Sequence, residues 1–162
     1  MSYSGGRLED QLMKLVQIGT VRSTTGGSAV VDFGGADSAE LAAGAQRMGG
    51  VKIWAPLAAG EQVLVLCPGG DPALGVIVCS LPSESNAAPS DDPAGYRAEF
   101  PDGTVVEHAG GVTTIECSGK VLVNAPLVEV PDGDVVAGGI SLRNHTHTDT
   151  AGTGAGETSG PH

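Results

Sequence analysis

Thr104-Val105-Val106-Glu107, Val112-Thr113-Thr114-Ile115-Glu116-Cys117, Lys120-Val121-Leu122-Val123-Asn124, Leu127-Val128-Glu129-Val130, Asp134-Val135-Val136-Ala137 and Ile140-Ser141-Leu142 form a train of short apolar runs. Turn-formers punctuate them: Asp102-Gly103, Gly110-Gly111, Ser118-Gly119, Ala125-Pro126, Pro131-Asp132-Gly133 and Gly138-Gly139. Strands this short bury too little apolar surface to stand as a lone ribbon. A stack of repeats can bury a continuous core, as in β-helices and solenoids. Val121 and Val123 alternate with Leu122, and Val128 and Val130 with Leu127 and Glu129, so apolar side chains point to more than one face. Partner chains would cover that excess. A self-contained β-meander is the other arrangement the runs allow.

Composition fits thin β layers. The chain of 162 residues has 26 Gly and 10 Pro, and its aromatic residues are only Tyr3, Phe33, Trp54, Tyr96 and Phe100. Val, Ile, Leu, Ala and Thr must therefore fill most of the interior. A net charge of −11 with only eight Lys and Arg speaks against a nucleic-acid partner, which needs clustered cations. Few aromatics also leave little for base stacking. Cys67, Cys79 and Cys117 are odd in number and show no CxxC spacing, so reduced, buried thiols are expected, with Cys67–Cys79 the one pairing left open. Met1 to Asp10 lacks the apolar stretch of a secretory leader, and no apolar run approaches membrane-spanning length.

Upstream of the repeats, Leu8, Leu12, Leu15 and Val16 fall at i, i+4, i+7 and i+8, which predicts an amphipathic helix and lead-in over residues 1–18. Residues 19–80 then carry short β-rich runs, at 17–22, 28–33, 51–55, 61–67 and 74–79, with turns such as Thr25-Gly26-Gly27 and Pro68-Gly69-Gly70-Asp71-Pro72. Five such runs predict a small Greek-key barrel of the OB type. The Ala-rich segment 37–48 reads as a loop or short helical insertion. Residues 81–95, with three prolines and almost no large apolar side chain, read as a linker to the repeats at 96–143.

Residues 144–162 close the chain with Asn144-His145-Thr146-His147-Thr148 and a Gly/Thr-rich tail. In an extended chain, His145 and His147 share a side and can reach one ion. Two nitrogens do not close a metal site, which takes at least four ligands. Three copies on a three-fold axis would supply six, a shell that suits octahedral iron better than tetrahedral zinc. HxH alone is a weak motif, and an incidental surface pair remains open on spacing alone. His108, beside a Gly-Gly turn, and His162 are read as incidental.

Two segments carry a family resemblance. Tyr96-Arg97-Ala98-Glu99-Phe100-Pro101-Asp102-Gly103-Thr104-Val105-Val106-Glu107-His108 resembles the start of the β-helix in the baseplate assembly protein V family, the central spike of contractile phage tails. Asn144-His145-Thr146-His147, followed by Asp149, Gly152, Gly154, Gly156, Thr158, Ser159, Gly160 and Pro161, resembles the tip of the same spikes. The order of helix, small barrel, linker, repeats and HxH covers essentially the whole chain. Two departures stand out: the needle is confined to residues 96–143, shorter than in longer relatives, and Thr148-Asp149 follows the histidine pair.

The resemblance implies a mainly β homotrimer with OB-fold domains toward the tail hub and baseplate proteins and an intertwined trimeric β-helix needle. It also implies an apical iron ion held by His145 and His147 of three chains, the only expected cofactor apart from further axial ions. The implied role is structural: a spike at the baseplate tip of a virion, or of a tail-like bacteriocin, that transiently pierces the host outer membrane. No catalytic residue is expected, since six protein ligands leave no position for substrate or water. The competing functions are a spike with envelope-degrading or other metal-dependent activity and an adaptor confined to the hub.

Overall fold

The computed structural model describes residues 3–147. It divides after Glu116 into two compact units, Met1–Glu116 and Cys117–His162.

The first unit opens with helix α1 (Tyr3–Met13), after which the chain turns directly into strand β1 (Val16–Thr25). Leu15 and Val16 therefore lead into and begin a strand instead of extending the helical stripe, and Leu8 and Leu12 stay exposed on α1. The helix backbone lies against Gly70, where a Cβ would meet the Gln11 carbonyl oxygen at 2.7 Å and φ is +75°. Only glycine serves at that position. The unit continues with β2 (Ser28–Asp32), β3 (Asp37–Ala43), β4 (Arg47–Met48), β5 (Lys52–Ile53), β6 (Gln62–Leu66) and β7 (Val76–Leu81).

Five of these strands close a barrel in the order β1-β2-β3-β7-β6. All neighbours are antiparallel except β3 and β7, which run parallel through Ala42 opposite Val76 and Ala43 opposite Ile77. Alternation decides which side chains point inward. Ala29 and Val31 on β2 and Val63 and Val65 on β6 are buried, with Val21, Leu41, Ile77 and Cys67 completing the core and Phe33 and Leu57 packed against it. Filling is by small aliphatic side chains, as the shortage of aromatics requires. Each fully buried Val, Leu or Ile contributes about 1.5–3 kcal/mol of transfer free energy.

Two expectations about the barrel are corrected. The Ala-rich stretch at 37–48 is no helix: its first seven residues are β3, paired with β2 through Ser28–Ala42, Ala29–Leu41 and Val30–Glu40. Tertiary pairing overrides the helical preference of Ala, Leu and Glu. The run 51–55 supplies no barrel strand, since Lys52–Ile53 pairs only with Arg47–Met48. The thiols also differ from expectation: all three are free, but only Cys67 is buried, while Cys79 and Cys117 are exposed.

Asp32 joins three strands of the barrel. Its carboxylate accepts the Gly34 and Gly35 amides at 2.9 and 2.8 Å and an Arg22 N–H at 2.8 Å, while Arg22 also pairs with Asp37 at 2.6 Å. The Gly35 and Gly34 amides first, and Arg22 after them, hold the Asp32 carboxyl below the usual carboxylate range. Beyond the barrel, the Pro-rich 81–95 segment is tethered by the Asn86 side chain, which donates to the Gly60 carbonyl at 3.0 Å.

Residues 96–116 form a three-stranded antiparallel meander of β8 (Tyr96–Glu99), β9 (Val105–Ala109) and β10 (Val112–Glu116) within the first unit. Asp102 accepts the Thr104 amide in the first turn at 2.9 Å. Gly110 and Gly111 make the second, with φ of +57° and +80°, the two-residue turn that matches strand twist. Arg97 bridges Glu99 and Glu107 at 2.7 and 3.1 Å across the sheet.

In the second unit no strand or helix forms from residue 117 to 135. Only a short hairpin follows, β11 (Val136–Ala137) with β12 (Ile140–Ser141). Val121, Leu122, Val123, Leu127, Val128, Val130, Val135, Val136, Ile140 and Leu142 are 46–77% exposed. The runs from Lys120 onward that the sequence reads as repeat strands thus lie open along a single chain, whereas the first two are β9 and β10 of the meander. Among the described residues, no helix is long and apolar enough to cross a membrane.

Two outcomes test this description of the barrel. Leu41→Ala should cost about 2–5 kcal/mol in urea unfolding, whereas Met48→Ala, at an exposed site, should stay within about 0.5 kcal/mol. Because the folded Asp32 carboxyl is held below its ordinary value of 3.8, its stabilisation is complete above that pH and is lost as pH falls through the folded value. Asp32→Asn should therefore flatten the acid limb of the stability profile below pH 3.8 and leave its shape near pH 7 unchanged.

Candidate metal centre

The β11–β12 hairpin turns on Gly138 and Gly139, whose φ values of +56° and +85° repeat the geometry of the Gly110-Gly111 turn. Val136 pairs with Ser141 and Ala137 with Ile140. The Leu142 amide then donates back to the Val135 carbonyl at 2.8 Å, which extends the closure by one step.

Asp134, just before β11, ties this hairpin to the chain beyond it. Its carboxylate accepts the Val135 amide at 2.8 Å, the Arg143 amide at 3.0 Å and the Ser141 hydroxyl. The Ser141 hydroxyl in turn accepts the Asn144 amide at 2.8 Å. The Ser141 hydrogen bond first, then the Arg143 and Val135 amides and the Arg143 charge, hold the Asp134 carboxyl below its ordinary range.

His145 is seated on the same residues. Its backbone amide donates to the Ser141 carbonyl at 3.1 Å. Its Nδ1–H donates to the Ser141 and Leu142 carbonyls at 2.9 and 3.1 Å. Carbonyl oxygens only accept, so Nδ1 carries the proton and the Nε2 lone pair is left for a ligand bond. The His147 ring lies with its centroid 5.0 Å from that of His145, at 83° to it. The structure therefore brings together the two residues that the HxH spacing singles out. His145 is half-buried and His147 exposed.

The donor chemistry fits a transition metal: neutral imidazole suits zinc, copper, iron and nickel alike. The number of donors from one chain does not fill a shell, and among the described residues no cluster of three or more His, Cys, Asp or Glu side chains gathers to hold a metal. His108 belongs to the first unit, where its Nδ1 is 2.8 Å from the Thr113 hydroxyl. Thr148, Asp149, His162 and the glycines of the tail lie outside the described residues. Sequence reasoning did not single out Asp134 or Ser141; the signal available was an Asp and a Ser on opposite sides of a Gly-Gly turn. A groove beside the hairpin is lined by Val128, Val130, Pro131, Val135 and Leu142, with Asp134 and Arg143 as its polar members.

The chain is similar to the spike protein of Escherichia phage P2, with 31% identity over 94 residues. The match takes in 52% of this chain and 44% of the phage protein, so this chain spans less than half the length of that relative. No family model matches the chain.

The hairpin geometry has a direct test. Gly139→Val places a β-branched residue at positive φ, a strain of about 1–3 kcal/mol. Amide exchange at Leu142 and His145 should accelerate while that of β6 stays unchanged.

Proposed function

We propose that this chain is the subunit of a homotrimeric central spike in a contractile phage tail baseplate or tail-like bacteriocin, related to the baseplate assembly protein V family. The observation that carries the reading is the open apolar stretch of residues 117–142. Ten large apolar side chains lie exposed there, and no strand or helix forms before Val136. Contiguous apolar surface of this kind marks an interaction site. Strands too short to pair within one chain can pair between chains, and three copies wound together as a β-helix would cover both the side chains and the backbone. Similarity to a phage spike protein supports a structural spike role for the chain.

In this reading the barrel is of the OB type, supported by its five strands and Greek-key closure through the parallel β3–β7 pair. It docks to the tail hub and baseplate proteins. The division of labour follows 1–18 for helix and lead-in, 19–80 for the barrel, 81–95 for the linker, 96–143 for the needle and 144–162 for the apex. The apex places His145 and His147 of three chains around one ion, assigned as iron because six imidazoles make an octahedral shell. Chain ends are normally the first parts of a protein to open. An ion bound only by assembled chains couples its binding energy to assembly and closes three ends at once. With its shell filled by protein, the ion is structural and the spike is no enzyme. It acts mechanically, driven through the host outer membrane on contraction.

Elemental analysis of purified protein should find one iron per three chains, and His145→Ala with His147→Ala should abolish it while the far-ultraviolet dichroism of the barrel persists. Stoichiometric metal in the double variant would overturn the ligand assignment. Cleavage of envelope glycans or peptidoglycan by the pure protein would overturn the mechanical role.

A further inference from the structure

We infer that Asp134 is a positioning residue for His145, acting through Ser141 to set the imidazole in the tautomer and orientation that ligate through Nε2. The inference rests on the metal reading above and adds residues to which the HxH motif gives no clue.

Asp134 lies eleven residues before His145 and makes no hydrogen bond to it, yet two of its three hydrogen bonds end on residues that carry the histidine. One is to the Ser141 hydroxyl, whose own backbone carbonyl accepts both the His145 amide and its Nδ1–H. The other is to the Arg143 amide, next to Leu142, whose carbonyl is the second acceptor of Nδ1–H. With the Ser141 hydroxyl also accepting the Asn144 amide, residues 141 to 145 are wrapped around a single carboxylate. Asp134 is thus two hydrogen bonds removed from Nδ1, the non-ligating nitrogen through which outer residues fix imidazole orientation and raise ligand basicity. A ring locked in this way offers its lone pair before any ion arrives, so each chain brings half of its contribution ready-made. That matters for a site shared between chains, because ordering six free imidazoles at the moment of closure would weaken binding.

A purely architectural Asp134 would keep the hairpin but leave the tautomer indifferent, and this separates the two roles. The experiment is nitrogen-15 NMR of histidine-labelled, metal-free full-length protein, with His145 assigned through His145→Gln, followed by anaerobic titration with ferrous iron. Wild-type His145 should show the Nδ1–H form. Asp134→Ala and Ser141→Ala should each move it toward the mixed tautomers of a free imidazole and weaken iron binding about 10–100-fold. Because the two residues act in one chain of contacts, the double variant should lose little more than either alone. Asp134→Asn keeps an acceptor for the Val135 and Arg143 amides but not for the Ser141 hydroxyl, so it should resemble Ser141→Ala. An unchanged tautomer and affinity in Ser141→Ala and Asp134→Asn, with the dichroism of the fold intact, would overturn the inference. If wild-type protein bound no iron, the metal reading would fail, while the tautomer shift in metal-free protein would still decide whether Asp134 positions the ring.

Discussion

Residues 117–142 impose the constraint on which the rest turns: ten large apolar side chains lie exposed there, and strand pairing in the stretch is limited to the two-residue β11–β12 hairpin. The barrel faces no such problem. Its eight core residues reach 0–2% exposure within one chain, because five strands close on each other and leave no open edge. The same chain thus contains two kinds of β-structure. One buries its core within a single chain, and the other leaves its apolar side chains open.

That division explains where the sequence can be read. β2 and β6 were legible as short Val- and Leu-rich runs set between turn residues, and register then put Ala29/Val31 and Val63/Val65 on the core face. β3 was not, because only Leu41 of its seven residues is fully buried and the alanines and Glu40 around it read as helical. The run at Val51-Lys52-Ile53-Trp54 alternates convincingly, but finds only the two-residue β4 as partner, and periodicity carries no information about partners. For the repeats the sequence was informative about excess apolar surface and about turns, as at Gly110-Gly111 and Gly138-Gly139, where both residues take positive φ. The burial expected of Cys79 failed for a related reason, while Cys117 lies just past β10 in the stretch without strands. Residue type gives a preference for the interior, whereas strand register decides the face, and Cys79 pairs opposite Leu64, which is not in the core.

The candidate site shows the same limits at finer scale. His145 and His147 were visible because period-two spacing is local, and the rings do come together. Asp134 was not, because its link to His145 runs through a hydroxyl and two backbone carbonyls, none of which leaves a compositional trace. A short Gly-Gly turn brings Asp134 and Ser141 together, so the support for the ligand is built by the hairpin and not by the motif.

Native mass spectrometry of untagged protein tests the central claim most directly, since it reads subunit number and bound metal together. The account predicts a trimer carrying one ion with the mass of iron. A metal-free monomer would contradict it, and residues 117–142 would then need some cover other than copies of this chain.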